Sequence, residues 1–218
     1  MVMVVTWRMS PGLQSGRIGV KAEYRSCPYS SPNTAAAEQQ KQTPTSQRYR
    51  GPRLLNSCPV FIGLGSNLDD PEHRLLQAVT ALSEAPELRD IRVSSFRWTA
   101  PVGPVLDQPR FLNGVVMGTT TSGPHTIFRR LQDIEISIGL VRENKQYQGP
   151  RRIDLDLLFV GSTIIDEATL TLPHPRLTDR RFVLEPIMEL APDFRHPVTG
   201  LTMREHFTKL ESAEWAPT

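Results

Sequence analysis

The sequence predicts an α+β domain with a mostly antiparallel sheet and two helices on one of its faces. Three observations predict it. Residues 69–85 and 123–139 place apolar side chains at helical spacing. Four stretches, 59–68, 91–98, 110–121 and 149–161, are short apolar or alternating runs bounded by turn residues. Their order along the chain is β-α-β-β-α-β.

Each element has its own warrant. "PVFIGLGSNL" is a short apolar run closed by Gly65, Ser66 and Asn67, a first buried strand and its turn. "DDPEHRLLQAVTALSEA" opens with acidic residues and Pro71 and sets Leu75, Leu76, Val79 and Leu82 on one face, which predicts an amphipathic helix. "IRVSSFRW" reads as the second strand. "TAPVGPVLDQP" is too rich in proline for a helix or a central strand and reads as a loop. "RFLNGVVMGTTT" is the third strand. "GPHTIFRRLQDIEISIG" is the second helix, with Ile127, Leu131, Ile134 and Ile138 inward and Gly139 as its stop. The polar loop "LVRENKQYQGP" leads into "GPRRIDLDLLFVG", the fourth strand. The order is the ferredoxin-like one. Beyond it, 161–210 reads as a hairpin or short strands ("STIIDEATLTL"), a loop bearing His and Arg ("PHPRLTDRRF") and short helices.

The chain of 218 residues is 39% hydrophobic and 22% charged, enough apolar material for a substantial core. A net charge of +2 is near balance, so no bulk basic field argues for nucleic acid. No apolar run approaches membrane-spanning length. Two cysteines, Cys27 and Cys58, make neither a disulfide framework nor a zinc site. Residues 1–58 stand apart. They carry Arg8, Arg17, Lys21, Arg25, Lys41, Arg48, Arg50 and Arg53 against Glu23 and Glu38, without any sustained period. A disordered basic extension is expected there, followed by one domain over 59–210 and a tail over 211–218. The extension resembles an organellar transit peptide. It reads equally well as an upstream segment with no role. The location is then cytoplasmic, or a mitochondrial or plastid matrix if the extension is a targeting leader.

The chemistry concentrates in the fourth strand. Alternation puts Ile153, Leu155, Leu157 and Phe159 on one face, under the helices, and Arg152, Asp154, Asp156 and Leu158 on the open one. The two aspartates have Cα atoms roughly 7 Å apart. Like charges side by side on a strand weaken a sheet, and an isolated D-x-D is commonly just a solvated face. Here Arg151 and Arg152 precede the pair, Arg142 and Lys145 lie in the loop before it, and His174, Arg176, Arg180 and Arg181 follow. Carboxylates among so many cations suit a magnesium-bridged polyphosphate, since hard Mg²⁺ takes one or two carboxylates plus phosphate oxygens. Arginine and lysine neutralise the charge spread over a phosphoryl group in transfer.

Other classes fit less well. A polymerase-β-type nucleotidyltransferase sets Gly-Ser about a dozen residues before its aspartates, whereas Gly65-Ser66 precedes these by almost the whole domain. An RNA-binding module of this fold wants exposed aromatics and bases where this sheet offers acids. No GxxxxGK[ST] exists for a Walker-type kinase. Another metal-dependent nucleotidyl- or phosphotransferase, or a non-catalytic binding module, stays open on the residues alone.

"GLGSNL", "DQPRFLN", "GPRRIDLDLLFVG" and "LPHPRLTDRRFVLEP" together resemble, in order and spacing, the 6-hydroxymethyl-7,8-dihydropterin pyrophosphokinases of folate synthesis, over 59–209. The resemblance implies transfer of the β,γ-diphosphate of ATP to the pterin hydroxymethyl oxygen, with release of AMP. It implies that Asp154 and Asp156 hold two Mg²⁺ ions, and that Arg142 and Arg151 clamp phosphate during catalysis. Gln132, Glu135, His174 and Arg180 match its other ATP contacts. Phe111 and Phe182 match the aromatics that sandwich the pterin, although core packing alone also suits both. Asn113 matches the amide that reads the ring edge, with backbone groups of Thr99, Ala100 and Val102 completing it. Leu140 stands where bacterial members carry an arginine, and the following loop is one residue longer. A monomeric enzyme with small-molecule substrates is implied, without nucleic acid or membrane partners. It is also expected to have a single activity, because the chain after "LTMREHF" is too short for a dihydropteroate synthase domain.

Overall fold

A computed structural model describes residues 57–139 and 149–214. The chain divides into units 1–49 and 50–218, and every described residue belongs to the second. The order is β1 (Cys58–Ser66), α1 (Pro71–Glu84), β2 (Arg89–Val93), β3 (Arg97–Thr99), β4 (Phe111–Thr120), α2 (Pro124–Ile138), β5 (Asp154–Val160), β6 (Ile165–Asp166), β7 (Thr171–Leu172), α3 (Arg181–Leu190) and α4 (Met203–Glu214). The main sheet runs β2-β4-β1-β5, with β3 also on β4, and all of its pairings are antiparallel. α4 continues to Glu214, past the domain boundary read at residue 210.

α1 starts where Asp70 accepts the N–H of His73 and Pro71 presets the first turn. It buries Leu75, Ala78 and Leu82. Leu76, expected on that face, is 47% exposed, because the buried stripe is narrower than its apolar residues suggest. α2 buries Ile127, Leu131, Ile134 and Ile138 and ends at Gly139, whose φ of 103° is left-handed. Together the two helices cover Val60, Ile62 and Leu64 of β1, Leu112 and Val116 of β4, and Leu155 and Leu157 of β5.

Three expectations change. The stretch 91–98 is not one strand but the two strands β2 and β3. Between them Ser94 takes the Val115 N–H on its hydroxyl, and Phe96 folds over Gly114, where a Cβ would stand 2.6 Å from its ring. Phe159 does not share a face with Leu155 and Leu157. Phe61 pairs with Phe159 but Ile62 pairs with Leu157, so Leu158 is one residue too many and the bulge turns Phe159 to the second face. Nor does that second face stay open. Phe61, Val115, Leu158 and Phe159 form a second core with Leu177 and with Val183, Leu184 and Ile187 of α3, which α4 flanks with Met203. Phe61, Phe159 and Phe194 meet with ring centroids 4.8 to 5.7 Å apart. These apolar groups need cover, and the C-terminal helices supply it over part of the face. The uncovered part holds the site.

Candidate active site

The uncovered part lies at the C-terminal end of β1 and the N-terminal ends of β4 and β5. Register sets two rows across it. Gly65 of β1 lies between Asn113 of β4 and Asp154 of β5, and Gly63 lies between Val115 and Asp156. The glycines form a floor without side chains. A Cβ on Gly65 would stand 3.0 Å from Asn113 Oδ1, and one on Gly63 would touch Asp156 Cβ and Leu158 at 3.6 Å. Above this floor is a cavity of about 440 Å³.

The cavity gathers most of the candidate residues. Thr99, Ala100, Val102, Phe111 and Asn113 line it from β3, β4 and the loop between them, Arg151, Asp154 and Asp156 from β5 and its lead-in, and His174, Arg180 and Phe182 from the segment after β7. Gln132 and Glu135 do not line it. Gln132 is half-buried on α2, and Glu135 is buried with its Oε1 accepting the Leu155 N–H at 2.8 Å. Arg142 and Lys145 lie outside the described residues, as does most of the loop 140–150. Arg176, one of the cations noted near the aspartates, also lines the cavity, while sequence reasoning missed Gly63 and Gly65 as a floor. The signal for that floor was present, since glycines two apart in a strand mark one face that something approaches closely.

Local bonds aim these side chains. Asn113 donates from Nδ2 to Thr99 Oγ1 at 2.7 Å, which leaves Oδ1 over Gly65. Asn67 is buried and holds the Arg151 backbone at both ends, accepting its N–H at 2.8 Å and donating to its carbonyl at 3.1 Å. Asn67 Nδ2 also donates to Gln108 Oε1 and the Pro109 carbonyl, tying the proline-rich loop to the same point. Arg151 Nη1 reaches Asp154 Oδ2 at 2.7 Å, a pair with 15% and 23% of its side-chain surfaces exposed. The Arg180 guanidinium lies 5.4 Å from the centre of the Phe182 ring, a cation–π contact.

Charge in the cavity favours an anion. Three guanidinium groups, Arg151, Arg176 and Arg180, face two carboxylates. Burial pulls the Arg180 pKa down, as does Arg176, while Asp156 and Asp154 oppose the shift. Burial is also the main reason that His174 drops from 6.5 to about 4, helped by Arg180 and Arg176 and resisted by Asp154. His174 is therefore neutral at pH 7. Its Nδ1 accepts the Arg176 N–H at 3.3 Å, so the ring proton sits on Nε2 and is available to a ligand. Between pH 6.5 and 4 the unfolded chain binds a proton at this residue that the folded chain refuses. Stability should fall as pH falls through that window. His196 and His206, also lowered by burial, act in the same direction. A melting-temperature series against pH should show this decline, and His174→Gln should flatten part of it. A slope unchanged by that substitution would contradict the assignment.

Asp154 and Asp156 fit a hard divalent cation. Both emerge beside glycines that leave room, and they offer only oxygen donors. Among the described residues no cluster of three or more His, Cys, Asp or Glu could hold a metal by itself. Two carboxylates completed by phosphate oxygens is how Mg²⁺ is commonly bound.

Comparisons with known proteins identify the family. The family model described as 7,8-dihydro-6-hydroxymethylpterin-pyrophosphokinase (HPPK) matches residues 61–192. The 2-amino-4-hydroxy-6-hydroxymethyldihydropteridine pyrophosphokinase of Pseudomonas aeruginosa is 41% identical over 138 residues, 63% of this chain and 83% of that protein. The folate synthesis bifunctional protein, mitochondrial, of Pisum sativum is 40% identical over 131 residues, 60% of this chain but 25% of its own length. In structure, a Plasmodium falciparum HPPK-DHPS triple mutant with pteroate has a TM-score of 0.57 at 16% identity, covering 74% of this chain and 45% of that one. That likeness speaks to the fold alone, and this chain spans less than half of that protein. The family model covers more than half of the sequence and includes every candidate residue, so the chain belongs to the 7,8-dihydro-6-hydroxymethylpterin-pyrophosphokinase family.

Proposed function

We propose that the cavity moves the β,γ-diphosphate of ATP onto the hydroxymethyl oxygen of 6-hydroxymethyl-7,8-dihydropterin, with Mg²⁺, and releases AMP. Family membership makes the chain a pyrophosphokinase of folate synthesis. The observation that carries the site assignment is the division of one cavity into two chemistries. Its lining combines two aromatics and an oriented amide with two carboxylates and three arginines, and register sets Asn113 and Asp154 on opposite flanks of Gly65.

The chemistry follows from that division. Phe111 and Phe182 suit the faces of a flat bicyclic ring. Asn113 Oδ1, fixed by the Thr99 bond, accepts an N–H from the ring edge. The hydroxymethyl oxygen then attacks the β-phosphorus, the bond from it to the oxygen bridging the α-phosphate breaks, AMP leaves, and the hydroxyl proton is released. Arg151, Arg176, Arg180 and neutral His174 bind the triphosphate oxygens on which charge develops. Two Mg²⁺ ions at Asp154 and Asp156 would neutralise the triphosphate and orient it for in-line attack. The antiparallel order β2-β4-β1-β5, with β2 and β3 taken as one strand, supports a ferredoxin-like reading of the fold.

The direct test is the purified chain with ATP, Mg²⁺ and the hydroxymethyl-dihydropterin, assayed for nucleotide product. AMP should form in step with pterin diphosphate and only with the metal. Release of ADP in its place would overturn the proposal. The division of the site has its own check, by calorimetry with a non-hydrolysable ATP analogue, Mg²⁺ and then pterin. Asn113→Ala and Gly65→Ala, the latter by displacing Oδ1, should each weaken pterin binding by about tenfold and leave analogue binding within about twofold. Equal loss of both ligands would show that the division is wrong.

The catalytic unit in this proposal runs from β1 to α4, residues 58–214, acting as a monomer. The residues before Cys58, which opens β1, serve as a leader, a reading supported by their basic, acid-poor composition and by the mitochondrial pea relative. Among the described residues no helix is long and apolar enough to cross a membrane. Deleting residues 1–56 should leave kcat and melting temperature nearly unchanged, and a large fall in either would show that this segment serves the domain. A fluorescent fusion to the segment before Cys58 would show whether it directs import to an organelle or leaves the protein in the cytoplasm.

A further inference from the structure

We infer that Glu135 is a positioning residue for the carboxylate pair, pinning from α2 the peptide that separates Asp154 from Asp156. β5 lies at the end of the path β2-β4-β1-β5. In an outer strand every second N–H points away from the neighbouring strand. The Leu155 N–H is one of these, midway between the two aspartates, and Glu135 Oε1 accepts it at 2.8 Å. Glu135 is 7% exposed and Leu155 6%, so bulk water does not compete for this bond.

The consequence is geometric. Holding the Leu155 peptide holds the extended backbone on both sides of it, and with it the common direction of Asp154 and Asp156. Two carboxylates that share divalent cations repel one another until the cations arrive. An edge strand can relieve that repulsion by twisting out of the sheet. The Glu135 bond opposes the twist from behind, without touching the substrates. The Asp154 side is already tied to Arg151. The peptide between the aspartates has its tie in Glu135. This inference rests on the reading of Asp154 and Asp156 as the metal pair.

The test uses the full chain as wild type, Glu135→Gln and Glu135→Leu, with two readouts. The first is hydrogen exchange of the Leu155 amide by NMR. The second is the Mg²⁺ concentration needed for half-maximal binding of a non-hydrolysable ATP analogue. Glutamine keeps an acceptor and leucine does not. The Leu155 amide should be protected in wild type and Glu135→Gln, and exchange about a hundredfold faster in Glu135→Leu. The Mg²⁺ midpoint should rise about tenfold in Glu135→Leu and stay within about twofold in Glu135→Gln. A merely structural glutamate would alter melting temperature without this split. An unprotected Leu155 amide in wild type, a native midpoint in Glu135→Leu, or equal loss in both variants would each overturn the inference. If Glu135→Leu does not fold, Glu135→Gln decides: native protection and midpoint support the inference, and loss of either defeats it. Should wild type bind no analogue at any Mg²⁺ concentration, the functional reading falls and the metal role of Glu135 falls with it. Intact Leu155 protection would tell that failure apart from failure of the pin.

Discussion

Alanine at Asp154 or at Asp156 is expected to lower turnover by about a thousandfold or more, an effect of roughly 4 kcal/mol on the transition state. Either change removes half of the oxygen donors that hold the cations against the triphosphate, and no third acidic group stands ready to replace it among the described residues. The fold should survive. β5 is anchored by Leu155, Leu157, Leu158, Phe159 and Val160, all buried, and neither aspartate contributes to that packing. Asp154→Ala carries one extra cost, since it takes away the partner of Arg151. Circular dichroism and melting temperature should therefore be close to wild type for both variants while AMP formation disappears. A variant with a near-native rate and an unchanged Mg²⁺ dependence would remove these residues from the metal site.

Arg151→Ala should be the next most damaging change, lowering kcat by about a hundredfold to a thousandfold, or roughly 3 to 4 kcal/mol. The reasoning turns on what holds this residue. Its backbone is fixed by Asn67 through two hydrogen bonds that the substitution leaves intact, so the strand entrance stays where it is. Only the guanidinium is lost, beside Asp154 and within the cavity. A charge placed there acts most where phosphoryl charge develops, so the loss should appear in single-turnover rates more than in binding of the ATP analogue. A raised KM for ATP with kcat unchanged would mean that Arg151 binds ground state and transition state alike, and its catalytic role would be lost. The same experiment on Arg176, which joins Arg180 in lowering the His174 pKa, would show how far the three guanidinium groups share the work.

Much of the site was legible because its signals are local. The D-x-D strand announced itself by alternation, and Ile153, Leu155 and Leu157 are buried under α1 and α2 as that alternation requires. Phe111 and Asn113 share a face because they are two apart in β4. The helices showed in their apolar spacing, and Gly139 ends α2 in the left-handed conformation that its type permits.

Other features were decided only by tertiary contacts. The bulge at Leu158 arises from how β5 registers against Phe61 and Ile62, and a period read along one strand contains no information about its partner. The covering of the second sheet face depends on α3 and α4 packing against Phe61 and Phe159 from far along the chain. His174, Arg176 and Arg180 join Asp154 and Asp156 because the segment after β7 folds back, with the His174 N–H donating to the Leu158 carbonyl at 3.1 Å. The resemblance puts Glu135 among the ATP contacts, and only packing sends its carboxylate to the Leu155 N–H, away from the cavity lining. The sequence by itself determined which residue types are present and, where no bulge intervenes, which strand face each occupies, because those follow from backbone periodicity. The structure alone decided which faces meet, because that depends on burying apolar surface and pairing polar groups between segments far apart in the chain.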